Sequence, residues 1–148
     1  MPEQTPRELT DRLINSLHVP KDAGENADGL RRILMRIPDG WGRWIGHRKG
    51  WYPLVIRLDE ALAAVDPNYE VDQVKEKYGA LRFYFSSEID REDGRQQWQQ
   101  METLVEAAES ESTKICEECG SRTDVRQRKF SYRIETLCEL CAATYSSD

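Results

Sequence analysis

Apolar residues recur at intervals of three and four positions in four parts of the chain, and this spacing predicts four amphipathic helices. The first covers about residues 6–17 and follows a capping box at residues 5–8. The second stops before Pro38, and the third begins at Pro53 and ends at residues 66–68. The fourth is long and ends shortly before the first cysteine. The apolar positions of the last three helices are Leu30, Ile33, Leu34 and Ile37, then Leu54, Leu58, Leu62 and Val65, then Trp98, Met101, Val105 and Ala108.

Alternation of apolar and polar residues between the third and fourth helices predicts a β-hairpin. Its strands cover residues 69–78 and 81–85 around a turn at 79–80, and the irregular alternation of the first strand predicts a β-bulge. A looser alternation over residues 125–137 predicts a second hairpin, and a short helix is expected from about Cys141. Together these elements predict an α+β protein with a helical N-terminal part, a β-hairpin, a long helix and a small C-terminal module.

The composition favours a folded protein with an uneven distribution of charge. Its 148 residues carry a formal net charge of -6, and four Trp, six Tyr and three Phe are too many for a disordered chain. Residues 59–113 contain 14 acidic and 5 basic side chains, whereas residues 30–58 contain 7 basic and one acidic. The acidic excess argues against a protein that coats nucleic acid with its whole surface. Because the sequence has no apolar run of membrane-spanning length and no signal-peptide pattern, we expect a soluble, cytoplasmic protein that does not bind membranes.

All four cysteines fall into one pattern, Cys116-x-x-Cys119 and Cys138-x-x-Cys141, with eighteen residues between the pairs. Two residues between thiolates let one turn present both sulfurs to a tetrahedral ion, so the spacing predicts a zinc site. Four thiolates saturate a tetrahedral zinc, and we therefore expect one structural Zn²⁺ with no open position for a substrate. Two disulfides or four unligated thiols are the alternatives, and a reducing compartment disfavours the disulfides. An iron–sulfur cluster is a further alternative, which the separation of the two pairs along the chain disfavours.

Four segments resemble a family of uncharacterised small proteins of bacteria and phages: GWYPLVIRLDEAL, YEVDQVKEKYGALRFYF, ESESTKICEECGS and ETLCELCAA. The resemblance covers about residues 50–145. Its most specific motif is the hairpin sequence QVKEKYGALRFY, in which Tyr78 and Ala80 replace the family's more frequent Phe and Gly. The cysteine half also resembles treble-clef and zinc-ribbon modules. We expect an α+β body over residues 1–113 with a zinc module over residues 114–148 packed on it; the resemblance implies no particular activity.

Two groups of cationic residues are candidates for nucleic-acid binding. The loop of residues 41–52 interleaves aromatic and basic side chains, and the hairpin between the cysteine pairs carries a second basic group. The candidate residues are Arg43, Trp44, Arg48 and Lys49 in the loop and Arg126, Arg128, Lys129 and Arg133 in the hairpin. For the loop we favour a structural interpretation, in which the indoles anchor on the core and the charges stay in water. For the hairpin, a solvated strand face is an equal alternative.

The fourth helix offers a candidate surface for protein binding. Glu102, Glu106 and Glu109 lie at intervals of four and three residues and therefore share one helix face, although a merely solvated face has the same pattern. The sequence contains no G-x-S-x-G, P-loop or H-E-x-x-H motif. We therefore expect a non-enzymatic, zinc-stabilised interaction or regulatory protein, borne by a phage according to the resemblance, that inhibits a host protein through its acidic surface. Nucleic-acid binding is the alternative, and catalysis by unrecognised groups is the least favoured hypothesis.

Overall fold

The computed structural model describes residues 17–89 and 92–145, and the helix predicted at 6–17 lies outside them apart from Leu17. Within these residues, four helices and two small sheets make an α+β fold, as predicted. The helices are α1 (Ala27–Met35), α2 (Tyr52–Val65), α3 (Arg95–Ser112) and α4 (Glu139–Tyr145), with 3₁₀ turns at Gly24–Asn26 and Lys49–Trp51 before α1 and α2. The strands are β1 (Ile45–Gly46), β2 (Glu70–Lys77), β3 (Ala80–Ser86), β4 (Val125–Phe130) and β5 (Arg133–Cys138). None of the described helices is long and apolar enough to cross a lipid bilayer.

The helices bury the apolar faces that their periodicity predicts. The buried positions are Leu30, Ile33 and Leu34 of α1, Leu54, Val55, Leu58 and Leu62 of α2, and Met101, Val105 and Ala108 of α3. Pro53 suits the first turn of α2, where a backbone N–H would have no partner inside the helix. α2 contacts both α1 and α3, and α3 also packs along β3. This packing fixes the direction of α3, which leads straight to the first pair of cysteines.

The β2–β3 hairpin forms with the predicted bulge, which lies between Val71 and Gln73. Its turn is Tyr78–Gly79, one residue earlier than predicted, and the two residues have φ angles of 54° and 82°. A two-residue turn with positive φ at both positions matches the right-handed twist of paired strands, so Ala80 belongs to β3 and not to the turn. β1 adds to β2 in parallel, which gives the sheet order β1-β2-β3.

Side chains of α3 cover the outer edge of β3. The N–H of Leu81 donates to Ser112 Oγ over 2.9 Å, and the N–H of Phe83 donates to Glu109 Oε2 over 3.1 Å. An unpaired strand edge is a site for association with other chains. α3 therefore closes this edge. Glu109 holds α3 to β3, a role that the spacing of the three glutamates does not predict.

A second, smaller hydrophobic cluster lies in the C-terminal part of the chain, around Leu137, Ala142 and two of the cysteines. β4 and β5 pair antiparallel around a two-residue turn, and α4 follows β5 directly. This cluster is joined to the first sheet by Thr136, whose hydroxyl donates to the carbonyl oxygen of Gly79. The division into residues 1–113 and 114–148 stays a prediction.

Candidate metal centre and the charged surfaces

The four cysteines meet at one point, as their spacing predicts. Cys116 and Cys119 lie in the turn after α3, Cys138 ends β5, and Cys141 lies in the first turn of α4. Their sulfur atoms all lie within 4.8 Å of one another. The Sγ atoms of Cys119 and Cys138 are 3.7 Å apart, which is too long for a disulfide and close to the edge of about 3.8 Å in a tetrahedron of sulfurs around a zinc ion. The cluster can therefore hold a four-coordinate metal ion.

A tight turn aims the first two sulfurs at this point. The N–H of Gly120 donates to the carbonyl oxygen of Cys116 over 2.8 Å, and the N–H of Cys116 donates to that of Ser121 over 2.8 Å. Gly120 has a φ of 83°, the left-handed conformation that glycine adopts without a Cβ penalty. Gly120 therefore permits the turn that presents both sulfurs.

The local electrostatics favour a bound cation. The backbone N–H of Cys141 donates to Cys138 Sγ over 3.5 Å, and this bond lowers the pKa of Cys138 to about 7. Partial burial, together with the neighbouring sulfurs, raises the pKa of Cys141. Because four adjacent thiolates repel one another, they can all be deprotonated together only when a positive ion lies between them.

A glycine and a tryptophan tie this centre to the start of α2. The N–H of Gly50 donates to the carbonyl oxygen of Glu117 over 2.7 Å, and the indole N–H of Trp51 donates to that of Ile115 over 2.9 Å. A Cβ at position 50 would lie 2.0 Å from the carbonyl oxygen of Cys116, so no other residue fits there. The sequence pattern places position 50 within the loop of residues 41–52 and does not predict this contact, although the Gly-Trp pair opens the first of the resembling segments.

Arg48, a nucleic-acid candidate, is directed inward. Its guanidinium lies 3.1 Å from Glu135 Oε1, 3.6 Å from Glu117 Oε1 and 3.5 Å from Glu118 Oε2, and it donates to the Tyr145 hydroxyl. Glu117 is buried beside the metal-binding turn, and this burial raises the pKa of its carboxyl. Arg48 therefore neutralises buried acidic side chains between the turn and the second hairpin. Few N–H donors of its guanidinium remain for a phosphate.

For two other loop candidates the structure reverses the structural interpretation: the arginine is buried and the indole is exposed. Arg43 is buried and donates to the Ile37 carbonyl over 3.1 Å and to Asp39 over 2.7 Å. Trp44 is 58% exposed and stacks on His18 at a ring distance of 3.8 Å. The expectation that the indoles anchor on the core while the charges stay in water is wrong for Arg43 and Trp44. Trp44 packs on a surface ring, while the buried Arg43 guanidinium bonds to the Ile37 carbonyl and to the exposed carboxylate of Asp39.

Three loop residues complete this group. Trp41 is exposed like Trp44, and Lys49 is exposed as expected of a surface cation. Trp51, in contrast, is fully buried, so the structural interpretation is confirmed for this indole.

The basic residues of the second hairpin stay at the surface. Arg126, Lys129 and Arg133 are exposed, and Arg133 lies 3.9 Å from Glu135. Arg128 is half-buried, and its Nε donates to the carbonyl oxygen of Leu137 over 3.1 Å.

The acidic face of α3 has two exposed carboxylates and a third that accepts a backbone hydrogen bond. Glu102 and Glu106 are exposed, and Glu102 accepts a 2.8 Å hydrogen bond from the Trp98 indole. Glu109 is half-buried against the backbone of Phe83. The surface available to a partner is therefore smaller than the spacing of the three glutamates predicts.

Comparison with protein-family models, with curated proteins and with solved structures finds no match to this chain. The resemblance to the bacterial and phage family accordingly stays a prediction.

Proposed function

We propose that the chain is a non-enzymatic interaction module, stabilised by one structural zinc ion, that presents the acidic face of α3 to a basic surface of a partner protein. The observation that carries this proposal is that Glu102 and Glu106 are exposed and form no ion pair within the described residues. By contrast, Arg36, Arg48 and Arg57 each pair with an acidic side chain of the chain itself. Acidic groups without internal counter-ions attract a basic surface and fix its orientation.

The rigidity of α3 supports this role. Met101, Val105 and Ala108 anchor the helix on the core, and Glu109 holds it to β3. A partner would therefore meet Glu102 and Glu106 in a fixed geometry, which reduces the conformational entropy that binding costs.

The chemistry of the cysteine cluster supports zinc as its ion. Four thiolates at tetrahedral spacing favour zinc over magnesium, calcium and manganese, which prefer oxygen ligands. Zinc bound by four sulfurs has no open coordination position, so its role would be to hold the turn, the hairpin and α4 together. The order of these elements supports the treble-clef type among zinc modules. Phage origin and inhibition of a host protein, which come from the resemblance and from the acidic composition, stay predictions.

Affinity capture with charge-reversed variants tests the proposal. The tagged full chain is incubated with a nuclease-treated extract of the cells that produce it, and captured proteins are quantified by mass spectrometry. The pair Glu102→Lys and Glu106→Lys is compared with a matched control, Glu70→Lys and Glu88→Lys, which reverses two other exposed acids with the same change in net charge. We expect wild type and control to capture the same basic protein and the α3 variant to lose it.

Three results would contradict the proposal: capture of the same proteins by all three chains, no specific capture by wild type, or capture that occurs only when the nuclease treatment is omitted. The last would favour nucleic-acid binding through the exposed Arg126 and Lys129. In that case the affinity for an oligonucleotide would fall steeply with salt, with a log–log slope of about -0.9 for each phosphate contact on duplex DNA. The triple change of Arg126, Arg128 and Lys129 to Ala would then flatten this slope.

A further inference from the structure

The outer edge of β4 carries backbone groups without partners. Phe130 and Arg133 flank the two-residue turn and form the first pair of the β4–β5 ladder. Since hydrogen-bonded and non-hydrogen-bonded pairs alternate in an antiparallel ladder, the N–H and C=O groups of Gln127 and Lys129 point away from β5. No backbone hydrogen bond to these groups exists within residues 17–89 and 92–145.

The outer edges of β3 and β5 accept or donate hydrogen bonds to other parts of the chain. The outer edge of β3 receives Ser112 and Glu109 from α3. On the outer edge of β5, the carbonyl oxygen of Thr136 accepts the N–H of Glu117 over 3.0 Å. An exposed strand edge can pair with a strand of another chain, so the outer edge of this six-residue strand is a candidate binding surface.

Two cavities lie beside β4. One cavity of about 500 Å³ lies beside the first half of β4, and another of about 320 Å³ lies beside its second half. Consecutive residues of β4, which point to opposite faces of the strand, line these cavities, and no residue of β5 does. Glu139 of α4 lines both cavities, while Ala142 and Ala143 leave space in the second. These two cavities, together called the groove, lie on either side of Gln127, which lines neither of them, and the second reaches Lys129.

The groove has a cationic lining. Its charged residues are five cations, Lys114, Arg122, Arg126, Arg128 and Lys129, and two acids, Asp124 and Glu139. Arg126 and Lys129 are both exposed and stand on opposite faces of the edge strand. A second strand added to this edge would place side chains from both of its faces beside these cations.

We propose that β4 binds an extended acidic peptide segment of a partner protein, which adds to the edge as a third strand of the β4–β5 sheet. Backbone hydrogen bonds to Gln127 and Lys129 provide the pairing, and Arg126 and Lys129 select acidic side chains. The same cations repel a second copy of β4 and so prevent the sheet from extending through self-association. This surface is distinct from the acidic face of α3 and has the opposite charge, and the proposal stands independently of the proposed function.

Fluorescence anisotropy with a defined peptide tests this proposal. The probe is a labelled ten-residue peptide in which pairs of Glu alternate with pairs of Thr, so that acids lie on both faces of the strand. Its control is the same peptide N-methylated at every backbone nitrogen. The control keeps the charge and loses the ability to pair as a strand. We expect the zinc-loaded full chain to bind the control at least about tenfold more weakly than the probe. Equal affinities for the two peptides, or no binding of the probe, would overturn the proposal.

Two variants at position 127 test whether the probe binds through the strand edge. Gln127→Pro removes the outward N–H and blocks the approach of another strand, whereas the β4–β5 ladder does not use this N–H. We expect it to weaken probe binding at least about tenfold, while Gln127→Ala stays within about twofold of wild type. If circular dichroism and metal content show that Gln127→Pro is misfolded, Arg126→Glu with Lys129→Glu replaces it, with the same expected loss.

Amide hydrogen exchange identifies the bound backbone directly. We expect the probe to slow exchange at Gln127 and Lys129 and to leave the already covered Leu81 and Phe83 unchanged. Unchanged exchange at Gln127 and Lys129 in the presence of saturating probe would overturn the proposal. Tighter binding of a ten-nucleotide DNA strand than of the probe would assign the groove to nucleic acid and would also overturn it.

Discussion

The indole N–H of Trp51 donates to the backbone carbonyl oxygen of Ile115 over 2.9 Å, and both residues are buried. Trp51 precedes α2, and Ile115 immediately precedes the first cysteine of the metal centre. This hydrogen bond therefore joins the helical core to the metal-binding turn. Gly50, the neighbour of Trp51, makes the second connection through its N–H to Glu117.

Replacing Gly50 by Ala should disrupt the contact between the helical core and the metal-binding turn. The new Cβ would lie 2.0 Å from the carbonyl oxygen of Cys116, a backbone atom that cannot move without moving the metal-binding turn. We expect a loss of about 3 kcal/mol in the free energy of unfolding by urea, together with weaker zinc retention against a chelator. The control is Gly40→Ala, where the Cβ meets no atom within 4 Å and the cost, about 1 kcal/mol, comes from the positive φ alone. Equal stability of the two variants would contradict this account of position 50.

His47 should make the protein sensitive to acid. Its side chain is buried, Nδ1 lies 2.9 Å from the Arg48 carbonyl oxygen, and Nε2 has no hydrogen-bond partner within the described residues. Burial lowers the pKa of His47 to about 4, from the 6.5 of a solvated histidine. Below pH 6.5 the unfolded chain therefore binds a proton at His47 that the folded chain does not bind. The neutral, buried His47 makes its full contribution to the free energy of unfolding above pH 6.5, and this contribution declines as the pH falls toward 4.

Urea unfolding at a series of pH values measures this effect. We expect wild type to lose roughly 3 kcal/mol more than His47→Gln between pH 6.5 and pH 4. Protonation of the cysteines destabilises both proteins in this range, so the difference between them isolates the histidine. Parallel pH profiles for the two proteins would show that His47 does not provide this sensitivity.

Glu109 should differ from the other two glutamates of its helix face. Glu109→Ala leaves the N–H of Phe83 without its partner and should cost about 1–2 kcal/mol of the free energy of unfolding. Glu102→Ala and Glu106→Ala change exposed side chains and should each stay within about 0.5 kcal/mol of wild type. Urea titration of the three variants gives these values, and equal costs for all three would mean that Glu109 does not hold α3 to β3.

Local sequence patterns predicted the elements of the fold better than the surroundings of its charged groups. The apolar stripe through Leu54, Leu58 and Leu62 and the bulged hairpin follow from side-chain periodicity, because spacing determines which face is buried. The meeting of the four cysteines follows from the geometry of two short turns around one ion.

Long-range contacts explain what the patterns missed. Arg48 is 69 residues from Glu117 and 87 from Glu135 along the chain, so its inward direction depends on how the hairpin packs. The close approach of Gly50 to Cys116 depends on the same packing. Neither relationship leaves a periodic signal in the sequence.

Zinc in the cysteine centre is the central claim of this account, and X-ray absorption at the zinc edge of the purified full chain tests it most directly. We expect one zinc per chain with four sulfur ligands at about 2.3 Å. Cys138→Ser should lose a sulfur ligand and melt the C-terminal hairpin and α4, whereas α2 and α3 keep their packing. A zinc content well below one per chain, nitrogen or oxygen ligands in the wild-type spectrum, or a disulfide in the unreduced chain would contradict the claim.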